Sequence, residues 1–545
     1  MLTLTSDQRQ QTTTDSPLLS IVREFNTGMS VDAKRFVADQ ILMCVRDYFV
    51  HLPLKVSSLG IDPLRELELA ADDIPYMYTD AEFFRRILSI IKRLRDRHTC
   101  VRLPAPYTSA VAFLPVAVES VWRGSARPLL VSKVSADLGD SEFHEGVEIT
   151  HWNGTPIGRY IESLALDTEG ANPFARIAIA LRSLTTRPLA YGIPPAEDWV
   201  TLTYASSKGY RSISIPWRVY FPTPGSPTDF ASSALSGGDP TTIGLDRASF
   251  VVNAAWRDLF AGARREPDID VFYRDDPFAR VANPLPDNIE YRLARFGTKT
   301  FGYIRVFSFD APDPRRFLEA FSGVLRFMPQ TGVILDVRAN PGGSIPAGEG
   351  LLQLLTSEPI QPARLAFRVT AATQRLASSS PFFNSWRRSL DLRYETGDVF
   401  SQGYSLYDPA MGAGLEGSYR GPVVLIVDAL SYSTTDFLAA GFQDNQLGRI
   451  LGVDPVTGAG GANVWTHSQI YDVVRETPSQ GLSPLPADIN FNLALRRSIR
   501  VGRNDGLPLE GLGVFSDEIH RTTLRDVVGH NEDLVARAAF ILSSA

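Results

Sequence analysis

A serine that follows a strongly apolar run is the first residue in this sequence that could carry chemistry. Val423-Val424-Leu425-Ile426-Val427 reads as a strand, Asp428 to Ser433 as a turn, and Phe437-Leu438-Ala439-Ala440 as part of a following helix. At such a junction the helix dipole favours a developing anion, which suits Ser433 as a nucleophile. The same residues admit a plain structural account, because Ser433-x-x-Asp436 is also a capping box. A second junction ends the apolar run of Thr331 to Val337 in Asn340-Pro341-Gly342-Gly343, and Ala347 to Leu355 reads as the next helix. Paired glycines at a helix start let an oxygen approach outward-pointing N–H groups, as an oxyanion hole requires. An ordinary strand-to-helix turn would use the same residues. His98, in Arg95-Asp96-Arg97-His98-Thr99, is a candidate general base. Glu510, in Leu509-Glu510-Gly511-Leu512-Gly513-Val514, is a carboxylate able to orient an imidazole. Taken singly, a histidine in a helix-end loop and a glutamate among glycines are common surface residues.

The elements that would position these groups fall into blocks. With 545 residues, more than one domain is expected. Residues 1–18 are polar and predict a disordered tail, and residues 19–104 predict a helical region ending in the His98 loop. In it, Phe83, Phe84, Ile87, Leu88, Ile91 and Leu94 recur at helical spacing with Asp80 as the expected N-cap. Residues 105–220 turn β-rich, with strand-like runs at Leu129–Val134 and Trp199–Tyr204 and an Asn153-Gly154 turn. His144 and His151 flank that turn and are expected to be structural. Residues 221–286, rich in Pro, Gly, Ser and Asp, read as a linker or surface insertion, and residues 287–545 as an α/β domain of alternating strands and helices.

Composition narrows the partners. An apolar share of 44% with 21% charged residues describes a globular chain, and a net charge of −7 argues against nucleic acid or an anionic membrane surface. Cys44 and Cys100 make no disulfide framework, and no Cys/His cluster has zinc-ligand spacing. The polar start and the lack of a long apolar window predict a cytoplasmic chain with no membrane span, or a secreted one if a leader has been trimmed.

Several segments, in the same order, resemble the C-terminal processing (tail-specific) serine peptidase family. Phe301 to Phe309 is similar to its first core strand, and Asp336 to Gly343 to its D-x-R-x-N-x-G-G turn. Ser431 to Asp436 is similar to its S-A-S-A-S-E turn, whose middle serine is the nucleophile, here Ser433; Glu510 to Val514 matches its E-G-x-G-V motif. Gly146 to Ile157 resembles the carboxyl-side half of a bacterial PDZ domain, a peptide-binding module. Many family members use a Ser–Lys dyad, but Gly452 to Gly461, where that lysine would stand, has none, and no lysine follows Ser433. A branch resembling the tricorn protease core and the chlamydial protease-like activity factor uses Ser, His and Glu instead, and His98 and Glu510 stand at the matching places.

The resemblance implies a multi-domain α/β chain whose catalytic domain has the ClpP/crotonase-like fold with a mostly parallel sheet, joined to a PDZ-like domain and a helical N-terminal region. It implies a serine endopeptidase working through an acyl-enzyme. Ser433 would attack, His98 would carry the proton and Glu510 would fix the imidazole. Backbone N–H groups of Gly342 or Gly343, and of Thr434, would hold the oxyanion. The substrate would be a peptide or unfolded protein, no metal or organic cofactor is implied, and a homodimer stays open. A histidine base predicts activity rising through about pH 6–7. A β-branched residue at Gly343 is expected to slow turnover while leaving expression intact. The alternative is a catalytically inactive peptide- or ligand-binding protein on the same scaffold, since Tyr432 and the Thr434-Thr435-Asp436 sequence depart from the family's smaller residues.

Overall fold

The computed structural model describes residues 17–20, 28–135, 138, 142–222, 242–260, 283–476, 481–486 and 488–544. Most of the expected N-terminal tail lies outside them.

The N-terminal helices are Val31–Asp47, Leu52–Leu59, Pro63–Asp73 and Asp80–Lys92. The last one buries Phe83, Phe84, Ile87, Leu88 and Ile91, the stripe its spacing predicts. Its cap is Thr79, in a reciprocal box with Glu82, rather than Asp80. Asp80 instead lies buried with its carboxylate 3.4 Å from the Lys34 ammonium. The chain then tightens through Asp96-Arg97-His98-Thr99 into the strand Cys100–Arg102, which pairs antiparallel with Asn490–Ile499. That pairing fastens the histidine loop of the helical region to a sheet of the C-terminal half.

The β-rich region forms an antiparallel sheet of Val116–Ser120, Leu129–Val134, Glu148–Trp152, Trp199–Ser206 and Gly209–Pro216, with Thr155–Pro156 on Glu148–Trp152. Asn153 and Gly154 both have positive φ, at 46° and 77°, as a two-residue hairpin turn requires. His151 bonds Thr150 Oγ1 and His144 bonds the carbonyl of Glu145, so both histidines serve their own hairpin.

The C-terminal half is built on a six-stranded sheet. Ile289–Phe296 and Lys299–Val306 form an antiparallel hairpin. Val333–Asp336, Val423–Val427, Arg449–Gly452 and Glu518–Ile519 then follow in parallel. Parallel strands must be covered on both faces, which is why Val333–Asp336 and Val423–Val427 are buried throughout and read as continuous apolar runs. The helices Ile345–Leu354 and Thr434–Asp444 pack against each other near one end of these strands. The C-terminal helix Glu532–Ser543 packs on the opposite face, against Ile334, Val424 and Ile426.

The insertion departs from expectation. Residues 243–245 form a short buried strand and Arg247–Leu259 a helix, so part of the predicted surface linker is seated inside the protein. A Pro/Gly/Ser-rich composition hides such a strand, because backbone pairing makes little use of side chains.

Candidate active site

The two strand–turn junctions of the sequence lie side by side. Asp336 is buried beneath the first and receives Arg305, Arg338 and the Tyr303 hydroxyl. Burial opposes its charge, yet the two guanidiniums hold its carboxyl below the usual range. The amide of Ala339 donates to Asp428 at 2.9 Å, and the amide of Tyr432 to the Asn340 carbonyl at 3.1 Å. These bonds clamp the glycine turn onto the serine turn.

Ser433 sits where sequence reading placed it, one residue ahead of the helix Thr434–Asp444, with φ 66° and ψ −121°. Such a backbone costs a non-glycine residue of order 1–3 kcal/mol and persists only where its surroundings impose it. The Asp436 carboxylate imposes it here. It takes the Ser433 amide at 2.9 Å, the Thr457 hydroxyl at 2.5 Å and the Gly460 amide at 2.8 Å. The turn that would hold the lysine of a Ser–Lys dyad is therefore spent on Asp436. It also closes over the Tyr432 ring: a Cβ on Gly460 would stand 2.2 Å from Tyr432 Cζ, which accounts for the bulk next to the serine.

His98 meets Ser433 from the helical region. Its Nε2 is 2.7 Å from Ser433 Oγ, and its ring lies 4.8 Å from the Tyr432 ring. Far from being a surface residue, His98 is 1% exposed. Its loop is tied by Asp96, which accepts the His98 amide at 2.9 Å and the Thr99 hydroxyl at 2.9 Å. Burial, Arg97 and Lys55 press the imidazole down to about 3.

Glu510 is brought into the same buried cluster, but its bonds go elsewhere. One oxygen accepts from Lys55 Nζ, and the other lies 3.7 Å from His51 Nε2. The carboxylate nearest to His98 Nδ1 is Asp96, at 3.8 Å, and that nitrogen has no hydrogen-bond partner among the described residues. Lys55 also donates to the Arg95 carbonyl at 2.9 Å, so its ammonium joins the glutamate turn to the histidine loop. Burial pushes the Glu510 carboxyl up to about 8 while Lys55 pulls against it. Donor atoms of His51, Asp96 and Glu510 lie within 4.8 Å of one another, the only metal-like grouping among the described residues. The Lys55 ammonium already supplies a cation there. Sequence reading missed Lys55 and His51. Neither sits in a motif, and the one available signal was a lysine in a largely apolar stretch, Leu52-Pro53-Leu54-Lys55-Val56.

Gly342 and Gly343 form a three-residue strand with Ser344, not the first turn of a helix; the helix Ile345–Leu354 starts beyond, capped by Ser344. The Gly342 amide is committed to Asn340 Oδ1 at 2.9 Å. Gly343 has φ 142°, and a Cβ on it would fall 2.2 Å from the Phe309 carbonyl carbon and oxygen. The expectation of intact expression is thus revised. Gly343→Val is expected to lower soluble yield and melting temperature as well as turnover, and a variant as stable as the parent in thermal unfolding would show that the backbone yields there. Thr434 Oγ1 donates at 3.0 Å to the carbonyls of both Gly244 and Gly343.

Residues 300–481, which hold the glycine turn and Ser433, match peptidase family S41. That segment is an S41 peptidase domain. Residues 110–224 match a PDZ domain, so this serine peptidase carries its PDZ domain between the histidine loop and the family-matched segment. Among solved structures, mature CPAF complexed with lactacystin is 16% identical, covering 94% of this chain and 99% of its own at a TM-score of 0.62. Mature CPAF by itself gives 16% identity, coverage of 94% and 98%, and a TM-score of 0.62. Identity this low establishes a shared fold across nearly the whole chain. A photosystem II D1 C-terminal processing protease is 13% identical and covers 94% of this chain and 100% of its own at a TM-score of 0.37. No curated protein matches. No helix among the described residues is long and apolar enough to cross a membrane.

Proposed function

We propose that this chain hydrolyses peptide bonds of peptides or unfolded proteins with Ser433 as nucleophile and His98 as its base. The observation that carries this reading is the 2.7 Å contact between His98 Nε2 and Ser433 Oγ in a buried site. Ser433 attacks the scissile carbonyl as His98 takes its proton, and the imidazolium then protonates the leaving amine. Asp96 and Glu510 lie in the same buried cluster; the Asp96 carboxylate, 3.8 Å from Nδ1, stabilises the imidazolium directly. Glu510 acts as a positioning residue, through Lys55 and the Arg95 carbonyl. The amides of Gly343 and Thr434 receive the oxyanion, since the Gly342 amide is used within its own turn. The PDZ domain selects peptide and takes no part in the chemistry.

Labelling by a fluorophosphonate, lost in Ser433→Ala, tests the nucleophile. Mature CPAF has been seen with lactacystin, and the same compound is expected to block labelling here. A protein that neither labels nor cleaves any member of a broad peptide library would return the chain to a binding role.

The pH profile differs from the one the sequence suggests. His98 is neutral, and able to accept a proton, above about 3 rather than above 6.5. The expected kcat/KM therefore shows no fall at pH 6.5 belonging to His98, whose protonation lowers it only in more acid solution. A midpoint at 6.5 would show a freely solvated imidazole in the working enzyme. The sign for stability follows: a histidine lowered by folding stabilises above its unfolded pKa, and that contribution is lost as pH falls from about 6.5 towards 3.

A further inference from the structure

The insertion strand Ile243–Leu245 lies in the active site as a bound peptide would. It pairs antiparallel with Gly342–Ser344, with Gly244 opposite Gly343. The Gly244 carbonyl accepts from Thr434 Oγ1 at 3.0 Å, the Ile243 carbonyl from Asn463 Nδ2 at 2.8 Å, and the Asp246 amide donates to the Pro341 carbonyl at 2.8 Å. A Cβ on Gly244 would stand 3.0 Å from Ser433 Oγ, 3.1 Å from Thr434 Oγ1 and 3.2 Å from Ile345 Cγ1. The backbone is thus held from both sides, with Gly244 facing the nucleophile and room there for little side chain.

Two residues further on, the Asp246 side chain is fully buried against Arg97, with Oδ2 3.1 Å from Arg97 Nη2. Arg97 belongs to the histidine loop and not to the insertion. Its amide donates to the Tyr432 hydroxyl at 3.3 Å, and its guanidinium carbon is 5.9 Å from the Tyr432 ring centre. Glu169 of the PDZ domain, partly exposed, stands 3.6 Å from Arg97 Nε and leaves the Nη2 side to Asp246. A guanidinium fixed in this way and desolvated beside the insertion strand rewards a carboxylate and penalises a neutral or cationic side chain in the place that Asp246 takes.

We propose that Arg97 is a specificity-determining residue that selects an acidic side chain two positions to the carboxyl side of the residue whose carbonyl Ser433 attacks. With the crowding around Gly244, the preferred substrate class is a peptide with a small residue at the attacked carbonyl, then an apolar residue, then Asp or Glu. The proposal rests on the peptidase reading above, because only a cleaved bond defines those positions.

The test uses the full chain and internally quenched peptides containing Ile-Gly-Leu-Asp, Ile-Gly-Leu-Asn or Ile-Gly-Leu-Lys, with cleavage sites read by mass spectrometry. Cleavage after glycine is expected, with kcat/KM for the Asp peptide roughly 10-fold to 100-fold above the Asn peptide and higher still above the Lys peptide. Arg97→Gln is expected to bring the Asp peptide down towards the Asn value. If that variant does not fold, the peptide series on the unaltered chain decides by itself. Equal rates for Asp and Asn peptides, or cleavage at another bond, would overturn the subsite and leave the peptidase reading standing. Fluorophosphonate labelling of Ser433 with no cleavage of the Asp peptide would also overturn it. Neither labelling nor cleavage would overturn both.

Discussion

Ser433→Ala and His98→Ala are each expected to lower kcat on a peptide substrate by roughly 10⁴–10⁶, and the double variant by hardly more. Members of a nucleophile–base pair act as one unit, so removing the second after the first costs little. The geometry makes the expectation sharp: among the described residues Ser433 Oγ has a ring nitrogen at 2.7 Å, and no lysine follows it in the sequence. Folding should be little affected by the serine change, so circular dichroism and thermal melting serve as controls beside the rate. Full activity in His98→Ala would remove the histidine from the mechanism. Glu510→Gln is expected to be milder than either, because the Glu510 carboxylate has no direct bond to His98 and acts through Lys55.

Lys55→Met is the second large effect, and it falls on stability as well as rate. Lys55 is 3% exposed, and its ammonium faces Glu510 directly and lies close enough to Asp96 to oppose the rise that burial gives that carboxyl. Removing one partner of a buried ion pair costs about 3–5 kcal/mol, because the remaining charge stays desolvated. The sign with pH is fixed by Glu510, whose carboxyl is already raised by burial to about 8. A carboxyl raised by folding is best accommodated below its unfolded pKa, and its contribution is lost as pH rises through the folded value. The destabilisation should therefore be small near pH 4–5 and largest near pH 8. Urea midpoints of parent and variant at both pH values measure it, and Lys55→Met combined with Glu510→Gln should recover much of the loss at pH 8. A pH-independent loss would assign the effect to packing of the lysine stem.

Some of this site was legible because it is local. Ser433 and the paired glycines each lie in one strand and one turn, and the apolar runs of parallel strands announce where those turns must be. The two-residue turn at Asn153-Gly154 was legible for the same reason. His98 was legible as a residue type in a tight loop with Asp96, although its burial was not, since burial depends on what packs over the loop. The family resemblance joined His98 to Ser433 across 335 positions, and no spacing rule could have done so.

The tertiary structure decided what closes the site. Lys55 and Glu510 are 455 residues apart and touch because the helical region is drawn onto the C-terminal half, by the pairing of Cys100–Arg102 with Asn490–Ile499 and by the Val50 amide on the Ala494 carbonyl. The partner of a buried carboxylate is chosen by which loops meet, and a sequence carries no periodic trace of that choice. Gly244 and Asp246 were concealed in a stretch whose composition reads as linker, because a three-residue strand is held by backbone hydrogen bonds and one buried ion pair. By itself the sequence offered a candidate nucleophile, a glycine turn and a candidate base, each written in local pattern or residue type and joined by the family resemblance. Which carboxylate faces the base, which cation sits among the carboxylates and which segment lies against Ser433 were decided by contacts between distant segments, where burial sets the energy of each charge.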